Sequence, residues 1–404
     1  MNNAAIILQT DHPSATTKVY GLLVLERTFH ALERAGVDTV LLPYPEEEEL
    51  QEIIDRHQGW KVGFRFTDHF KTDFDQIKNG LVVLAAPMAI DQKIPQQLIE
   101  EGAKHLNTVI ISQNNQAAFF PAAFLTKTKA IPRPVTDWAD LAKQLGFAVK
   151  IVDFQGLVCH TVFNKTEKKA AKKALIRSLT KPTDGWVSRH LNRPISTNIS
   201  RVLAHTSITP NQFTVITGLV GLLTGVFLAL GGYWNYLIGG ALFHFTSVLD
   251  GVDGELARLK YKSSPFGQWL DTLVDNLSYL AALAGIIIGL YRNGASDLVK
   301  LAGILAVVFA VLALGSLYLY LLRFKSGGTL LSVEYNFQKG NSFFDKFMRV
   351  AAGFGKRDLF ALIFFGLGII GQMPMALGYV AIMAFFVFVF SVQAHFSAAK
   401  KVKG

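Results

Sequence analysis

Cysteine is nearly absent: Cys159 is the single thiol in 404 residues, so no internal disulfide can form. Its expected role is that of a small buried hydrophobe. Charge is also scarce, at 17% of residues, and it is unevenly placed. Residues 211–249 and 359–399 contain no Asp, Glu, Lys or Arg at all. Such runs exclude a fully water-soluble chain, and each is long enough for two membrane spans of about 20 residues. An early secretory signal is not expected either, because Ala4–Leu8 is too short and runs into Asp11 and His12.

Two unlike halves follow. Residues 1–165 read as a soluble domain, 166–207 as a linker with an amphipathic segment, and 208–404 as a membrane domain. In the last, Gly231-Gly232-Tyr233-Trp234-Asn235 divides the first two spans. A third is expected over Asp271–Tyr291 and a fourth over Asp297–Leu322. Two more meet near Gly371-Gln372-Met373-Pro374, giving an all-α bundle of six transmembrane helices. Trp186–Leu203 and Phe343–Phe354 mix bulky apolar residues with Arg and Lys, as helices lying in the membrane interface do.

The net charge of +10 is concentrated beside the apolar runs. That suits anionic lipid headgroups or phosphorylated substrates better than nucleic acid. Basic residues cluster before the first span (Lys172, Lys173, Arg177, Arg189, Arg201), between the second and third, between the fourth and fifth, and in the tail. The positive-inside rule then puts both termini on the cytoplasmic side of a prokaryotic-type plasma (inner) membrane.

In the soluble half, apolar runs at 4–8, 38–42, 81–86 and 107–112 alternate with helical patterns at Leu22–Ala35 and Pro95–Gly102. This alternation predicts an α/β domain with a mainly parallel sheet.

The chemistry-bearing string is Asp250-x2-Asp253-Gly254-x2-Ala257-Arg258-x8-Gly267-x3-Asp271-x3-Asp275. Positions i, i+3, i+4 and i+7 share one helix face. Asp250, Asp253, Gly254 and Ala257 therefore point one way, as do Gly267, Asp271 and Asp275 on the following helix. Facing each other, the two helices would gather four carboxylates with only small side chains between them. Such a cluster is repulsive without cations, and hard oxygen donors favour Mg²⁺, Mn²⁺ or Ca²⁺ over zinc or copper. The same acids could also be solvated at a helix–loop boundary, or line a divalent-cation pathway.

This string matches, at all its defining positions, the signature of the CDP-alcohol phosphotransferase family. The resemblance implies transfer of a phosphoryl-alcohol group from a CDP-alcohol, of CDP-diacylglycerol or CDP-inositol type, to an acceptor alcohol, with release of CMP. It implies two Mg²⁺ or Mn²⁺ ions held by Asp250, Asp253, Asp271 and Asp275, with Asp275 also the general base. Gly254, Ala257, Arg258 and Gly267 would shape the CDP pocket, with Asn211 and Thr214 as further contacts. Lys260, Lys262, Arg193, Arg323, Lys356 and Arg357 are candidates for the acceptor phosphate of an inositol phosphate or other polyol. Membrane lipids and a second copy of the chain, as a homodimer, are the expected partners.

The opening is similar to sugar-nucleotide and CTP-using nucleotidyltransferases, through Val19-Tyr20-Gly21, Leu25-Glu26-Arg27-Thr28 and Ala35-Gly36-Val37-Asp38. In that family a glycine-rich loop with a basic residue grips the triphosphate. Here Gln9–Thr17 contains no glycine, only Lys18 follows as a basic residue, and Ala85–Asp91 lacks the expected acid beside a glycine. The domain reads as a Rossmann-like nucleotidyltransferase fold that has lost activity, a bifunctional protein being the alternative. Ala170–Leu179, Lys181–Arg189, Asn192–Ser196, Thr209-Pro210-Asn211 and Lys356-Arg357-Asp358 resemble fused inositol-phosphate cytidylyltransferase/di-myo-inositol phosphate phosphate synthase proteins.

Overall fold

The computed structural model describes residues 3–43, 48–55, 59–67, 74–128, 131, 137–181, 184–324 and 356–403. It divides into two units, Met1–Lys181 with Ala204–Thr206 and Leu259–Tyr261, and Pro182–Leu203 with Ser207–Arg258 and Lys262–Gly404. The expected interfacial stretch Phe343–Phe354, and Lys325, Lys339, Lys346 and Arg349, lie outside the described residues.

In the first unit the apolar runs become strands because each alternates between two cores. The strands are β1 (Asn3–Ile7), β2 (Lys18–Val19), β3 (Leu22–Leu23), β4 (Thr39–Pro43), β5 (Gly63–Thr67), β6 (Gly80–Leu84), β7 (Ala89–Ile90), β8 (Thr108–Ser112), β9 (Ala117–Pro121), β10 (Ala148–Val152) and β11 (Cys159–His160). Ala5 and Ile7 pack with Phe29, Leu32 and Leu98 on one side of the sheet. Ala4, Ile6 and Leu8 pack with Phe124 and Trp138 on the other. A strand covered on both faces reads as a continuous apolar run, which is why β1, β6 and β8 stood out. The seven-stranded sheet has the order β10-β8-β9-β6-β1-β4-β5. All neighbours are parallel except β9, which runs antiparallel to both β6 and β8.

The helices of this unit are α1 (Val24–Arg34), α2 (Glu48–Asp55), α3 (Lys93–Lys104), α4 (Ala122–Leu125), α5 (Trp138–Gln144) and α6 (Lys165–Arg177). The unit extends past residue 165 because α6 stays on it: Tyr20 Oη donates to Lys172 O at 3.3 Å.

The second unit opens with a π-helical turn, Ser188–Asn192, continuing into α7 (Arg193–Leu203). Trp186, Ile195 and Val202 are exposed along this segment while Ser196, Thr197 and Ser200 are buried, so it is amphipathic with its polar side inward. Among the described residues six helices follow: α8 (Pro210–Leu230), α9 (Tyr233–Leu259), α10 (Pro265–Arg292), α11 (Asp297–Phe324), α12 (Arg357–Ile369) and α13 (Pro374–Lys403). Four of these, α8, α10, α11 and α13, are long and apolar enough to cross a membrane. The expected count of six is thus met in helices but not in apolar length. The 27-residue α9 carries Asn235, His244, Thr246, Ser247 and Asp250, and the 13 described residues of α12 reach about 20 Å at 1.5 Å per residue, short of the ~30 Å hydrocarbon core. The four apolar helices fit an integral membrane protein. Leu219, Leu222 and Val226 of α8 and Leu301, Ile304, Val308 and Val311 of α11 lie exposed, a face that water does not tolerate at this size.

The contact between α8 and α10 is made by small residues. A Cβ at Gly225 would meet Ala281 O at 2.6 Å, and one at Gly285 would run into the Gly225 carbonyl. Backbones this close are usual for helices associating in a membrane, and the pairing sets the two helix N-termini side by side at the site.

Candidate active site

Two local caps start helices of the site. Thr209 forms a capping box with Gln212: Gln212 N donates to Thr209 Oγ1 at 3.3 Å and Thr209 N to Gln212 Oε1 at 2.9 Å, with Pro210 at the first helical position. Ser264 caps α10 by accepting from Gly267 N at 3.0 Å, again followed by proline. Gly267 then faces Asn211, whose Oδ1 would stand 2.9 Å from an added Cβ. Asn211 and Gly267, 56 positions apart by subtraction of their numbers, are thereby neighbours.

On this frame α9 and α10 present their acids to each other. Carboxylate oxygens of Asp250, Asp271 and Asp275 all lie within 4.8 Å of one another. Asp253 stands apart from that trio and is oriented differently: its Oδ2 accepts from Thr214 Oγ1 at 2.6 Å, and both residues are buried. Gly254 leaves room on the same face, with Arg258 Nη1 3.7 Å from where its Cβ would sit. Arg357, at the start of α12, supplies the counter-charge. Its Nη1 donates to Asp250 Oδ1 at 2.7 Å and also to Asp275 Oδ1, while its guanidinium stacks on the Tyr279 ring with the centroid 5.3 Å away.

These residues fit a hard divalent cation. The trio offers only carboxylate oxygens, at separations one ion can span, and the positions are already organised about a positive group. One guanidinium against four aspartates leaves a formal deficit of three charges (four minus one) among these side chains.

Beside the acids lies a cavity of about 260 Å³ lined by Asp184, Arg193, Ser196, Asp250, Lys356, Arg357 and Asp358, among others. It gathers three of the six predicted phosphate candidates. The other three are not among its lining residues. Lys260 Nζ donates to Thr206 O at 2.7 Å. Lys262 and Arg323 are exposed.

Arg193 is held more tightly than a free phosphate ligand would be. Its Nε and Nη2 bind Asp184 at 2.8 and 3.0 Å, and its Nη1 binds Glu255 Oε1 at 2.6 Å. Burial opposes its charge, but Asp184 and Glu255 outweigh that and raise its pKa above the ordinary arginine value. Glu255, wholly buried, also accepts from Ser196 Oγ at 2.7 Å and Ser200 Oγ at 2.6 Å. Sequence reasoning missed Glu255, Asp184 and the two serines. A signal existed: Arg193, Ser196 and Ser200 share one face of α7, a polar stripe on an otherwise amphipathic helix.

In the first unit, the crevice outside the carboxyl ends of β1 and β6 is the position where α/β sheets take ligands. Here the segments that follow β1 and β6 are tied to each other and to α1. Ser14 Oγ donates to Pro87 O at 2.6 Å, Thr28 Oγ1 donates to Met88 O at 2.9 Å, and Met88 N donates back to Thr28 Oγ1 at 3.0 Å. Ser14 and Met88 are fully buried. Asp91 accepts from Lys93 N at 3.0 Å at the head of α3, and Lys18 lies exposed on β2.

Residues 207–399 match the model of the CDP-alcohol phosphatidyltransferase family. Among curated proteins, the bifunctional IPC transferase and DIPP synthase of Thermococcus kodakarensis is 41% identical over 140 residues, covering 34% of this chain and 31% of that protein. Its namesake from Archaeoglobus fulgidus is 33% identical over 221 residues, or 54% and 39% of the two chains. The archaetidylinositol phosphate synthase of Pyrococcus horikoshii is 40% identical over 91 residues, 22% of this chain and 47% of its own. The chain therefore spans about a third to a half of the length of these relatives.

Proposed function

We propose, from the premise that residues 207–399 form a CDP-alcohol phosphatidyltransferase domain, that this protein transfers the phosphoryl-alcohol group of a CDP-alcohol to a phosphorylated polyol, inositol phosphate being the type. The acceptor oxygen forms a bond to the donor's alcohol-bearing phosphorus, the pyrophosphate bond breaks, and CMP leaves with the bridging oxygen. The acceptor's proton goes to Asp275. The observation that carries this reading is the convergence of Asp250, Asp271 and Asp275 within 4.8 Å beside a cavity lined by Arg193, Lys356 and Arg357 together with Asp184 and Asp358.

Asp250, Asp253, Asp271 and Asp275 would hold two Mg²⁺ or Mn²⁺ ions, which when bound neutralise the donor diphosphate and the charge developing on it. The remaining roles belong to side chains. Thr214 orients Asp253 through its 2.6 Å bond. Arg357 donates to Asp275 and so fixes where the base stands beside Asp250. Gly254, Ala257, Asn211 and Gly267 leave the space for the nucleotide, and Arg258 supplies positive charge at its phosphates. Lys356 and Arg357 face the acceptor phosphate, while Asp184 and Asp358 offer acceptors to its hydroxyls.

The N-terminal unit is read as having lost cytidylyl transfer, because Gln9–Thr17 contains no glycine to let the backbone cradle a triphosphate and its Ser14 is tied to Pro87 O. The protein is read as an inner-membrane protein with the site at the cytoplasmic face, on the strength of the basic residues flanking its spans, and as a homodimer by the family resemblance alone. A cation-transport reading is disfavoured because these acids cluster at the ends of two helices.

The test is CMP release by the purified protein in detergent, with CDP-diacylglycerol or CDP-inositol as donor and inositol phosphate as acceptor. Turnover that needs both substrates supports the reading. Turnover with unphosphorylated acceptors alone, or metal flux into liposomes without any CDP-alcohol turnover, would replace it.

A further inference from the structure

Glu255 sits inside the aspartate string, between Gly254 and Ala257, yet it takes no part in the face that carries the acids. At 100° per residue it is rotated about 160° from Asp253, on the far side of α9. Its side chain is completely buried and both carboxylate oxygens are engaged. Oε1 accepts from Arg193 Nη1 and Ser196 Oγ, and Oε2 from Ser200 Oγ, at 2.6–2.7 Å. All three donors come from α7. Gly251, one turn earlier, allows the approach: a Cβ there would come within 3.2 Å of Arg193 Nη1 and 3.5 Å of Ser196 Oγ.

A buried carboxylate is costly unless every oxygen is paired. Hydrophobic packing would join α7 to α9 at lower cost but with less angular definition. What this arrangement provides is a fixed rotation and height of α9 against α7. A rotation of 20° at the ~2.3 Å Cα radius moves each Cα by about 0.8 Å, and a carboxylate further out by more. Productive geometry tolerates roughly 0.5 Å.

The same bonds set one wall of the cavity. Arg193 lines it, with Nε, Nη1 and Nη2 all taken by Asp184 and Glu255. Asp250 lines it from α9. The span between the acceptor cavity and the aspartates is therefore defined by Glu255.

We propose that Glu255 is a positioning residue for the transfer, acting through Arg193 and α9 to hold the acceptor cavity in register with Asp250. The proposal rests on the reading of the cavity as the acceptor site.

The experiment is steady-state CMP release by the full chain, varying donor and acceptor separately, with CDP affinity measured by calorimetry. Glu255→Gln keeps the shape and one acceptor oxygen but loses the charge that holds Arg193. It should cut kcat/KM for the acceptor by about 100-fold, the scale of a 1 Å misplacement, while CDP affinity stays within about twofold. Ser196→Ala with Ser200→Ala keeps the ion pair and loosens α7. It should give a milder loss, about tenfold, with the same split, and it serves if Glu255→Gln does not fold. A merely structural role would lower thermal stability with both kinetic constants unchanged in the protein that remains folded, and that result overturns the proposal. Equal losses in CDP affinity and acceptor use overturn it too. Wild-type protein that makes no CMP removes the functional reading and this proposal with it, whereas an active wild type matched by both variants removes the proposal alone.

Discussion

Replacing Arg357 with methionine removes the one guanidinium that bridges Asp250 and Asp275 while keeping much of the side-chain volume against Tyr279. Two unit charges about 4 Å apart at an effective dielectric near 20 interact by roughly 4 kcal/mol. The pair here is partly open, with side chains 16% and 28% exposed, so solvent reduces that figure. A loss of roughly 2–3 kcal/mol is expected when the acids are left facing each other without a cation. For a domain of this size each kcal/mol is worth about 2–4 °C. In EDTA the variant should therefore melt roughly 5–10 °C below wild type. Metal changes the comparison, because guanidinium and ion compete for the same oxygens. A ligand at 100 times its Kd adds about 2.7 kcal/mol, and the variant, free of the competitor, should bind it more tightly. The gap should shrink by more than half in saturating Mg²⁺. Thermal unfolding in detergent, with and without Mg²⁺, measures both numbers. A gap of the same size in EDTA and in Mg²⁺ would refute the claim that Arg357 and the ion share a site.

Other outcomes follow from the same geometry. EDTA should abolish CMP release and Mg²⁺ or Mn²⁺ restore it; full turnover after metal stripping would end the oxygen-ligated metal reading. Asp275→Asn should lose about 10²–10⁴ in kcat, the usual cost of a missing general base, with CDP affinity retained; recovery in excess Mg²⁺ would leave Asp275 a ligand only. Thr214→Val deletes the 2.6 Å bond to Asp253 and should weaken metal affinity about 10–100-fold, as loss of a supporting bond to a ligand does, read as the Mg²⁺ concentration for half-maximal activity. Full-length protein should release no pyrophosphate from CTP with inositol phosphate, and release abolished by Lys18→Ala would show that the first unit is active after all. Burial raises the pKa of the Cys159 thiol, so alkylation by iodoacetamide at pH 8 should be slow in the folded protein and fast in denaturant.

The parts of the site that sequence alone reveals are those defined within one helix. Asp250 and Asp253, or Asp271 and Asp275, declare a common face by spacing alone, and the caps at Thr209 and Ser264 use residues three apart. The strands β1, β6 and β8 were legible for a similar reason, since burial on both faces leaves an unbroken apolar run. Register and partner choice were not. Nothing local announces that β9 inserts antiparallel between β6 and β8, or that Arg357 is the basic residue that reaches Asp275 across 82 positions. Its neighbours Lys356 and Arg323 carry the same charge, and topology alone separates their roles. The apolar-length signal weakens where polarity and length diverge: α9 is helical throughout, but it carries the acids and so cannot be uniformly apolar.

Glu255 marks the limit of reading by motif. At a variable position of the aspartate string it looks like a solvated acid, the commonest fate of a glutamate at the end of a helix. Its meaning depends on Arg193, Ser196 and Ser200, which lie some sixty residues earlier and outside the family's matched segment of 207–399. On the proposed reading, the signature specifies which groups meet the metal and the diphosphate, while α7, joined through a buried charge, specifies where the second substrate stands relative to them. On that reading the placing of the second substrate lies outside the aspartate string. In this chain it falls to the segment from Asp184 to Ser200, whose carboxylate, guanidinium and hydroxyls close the cavity on one side and grip α9 on the other.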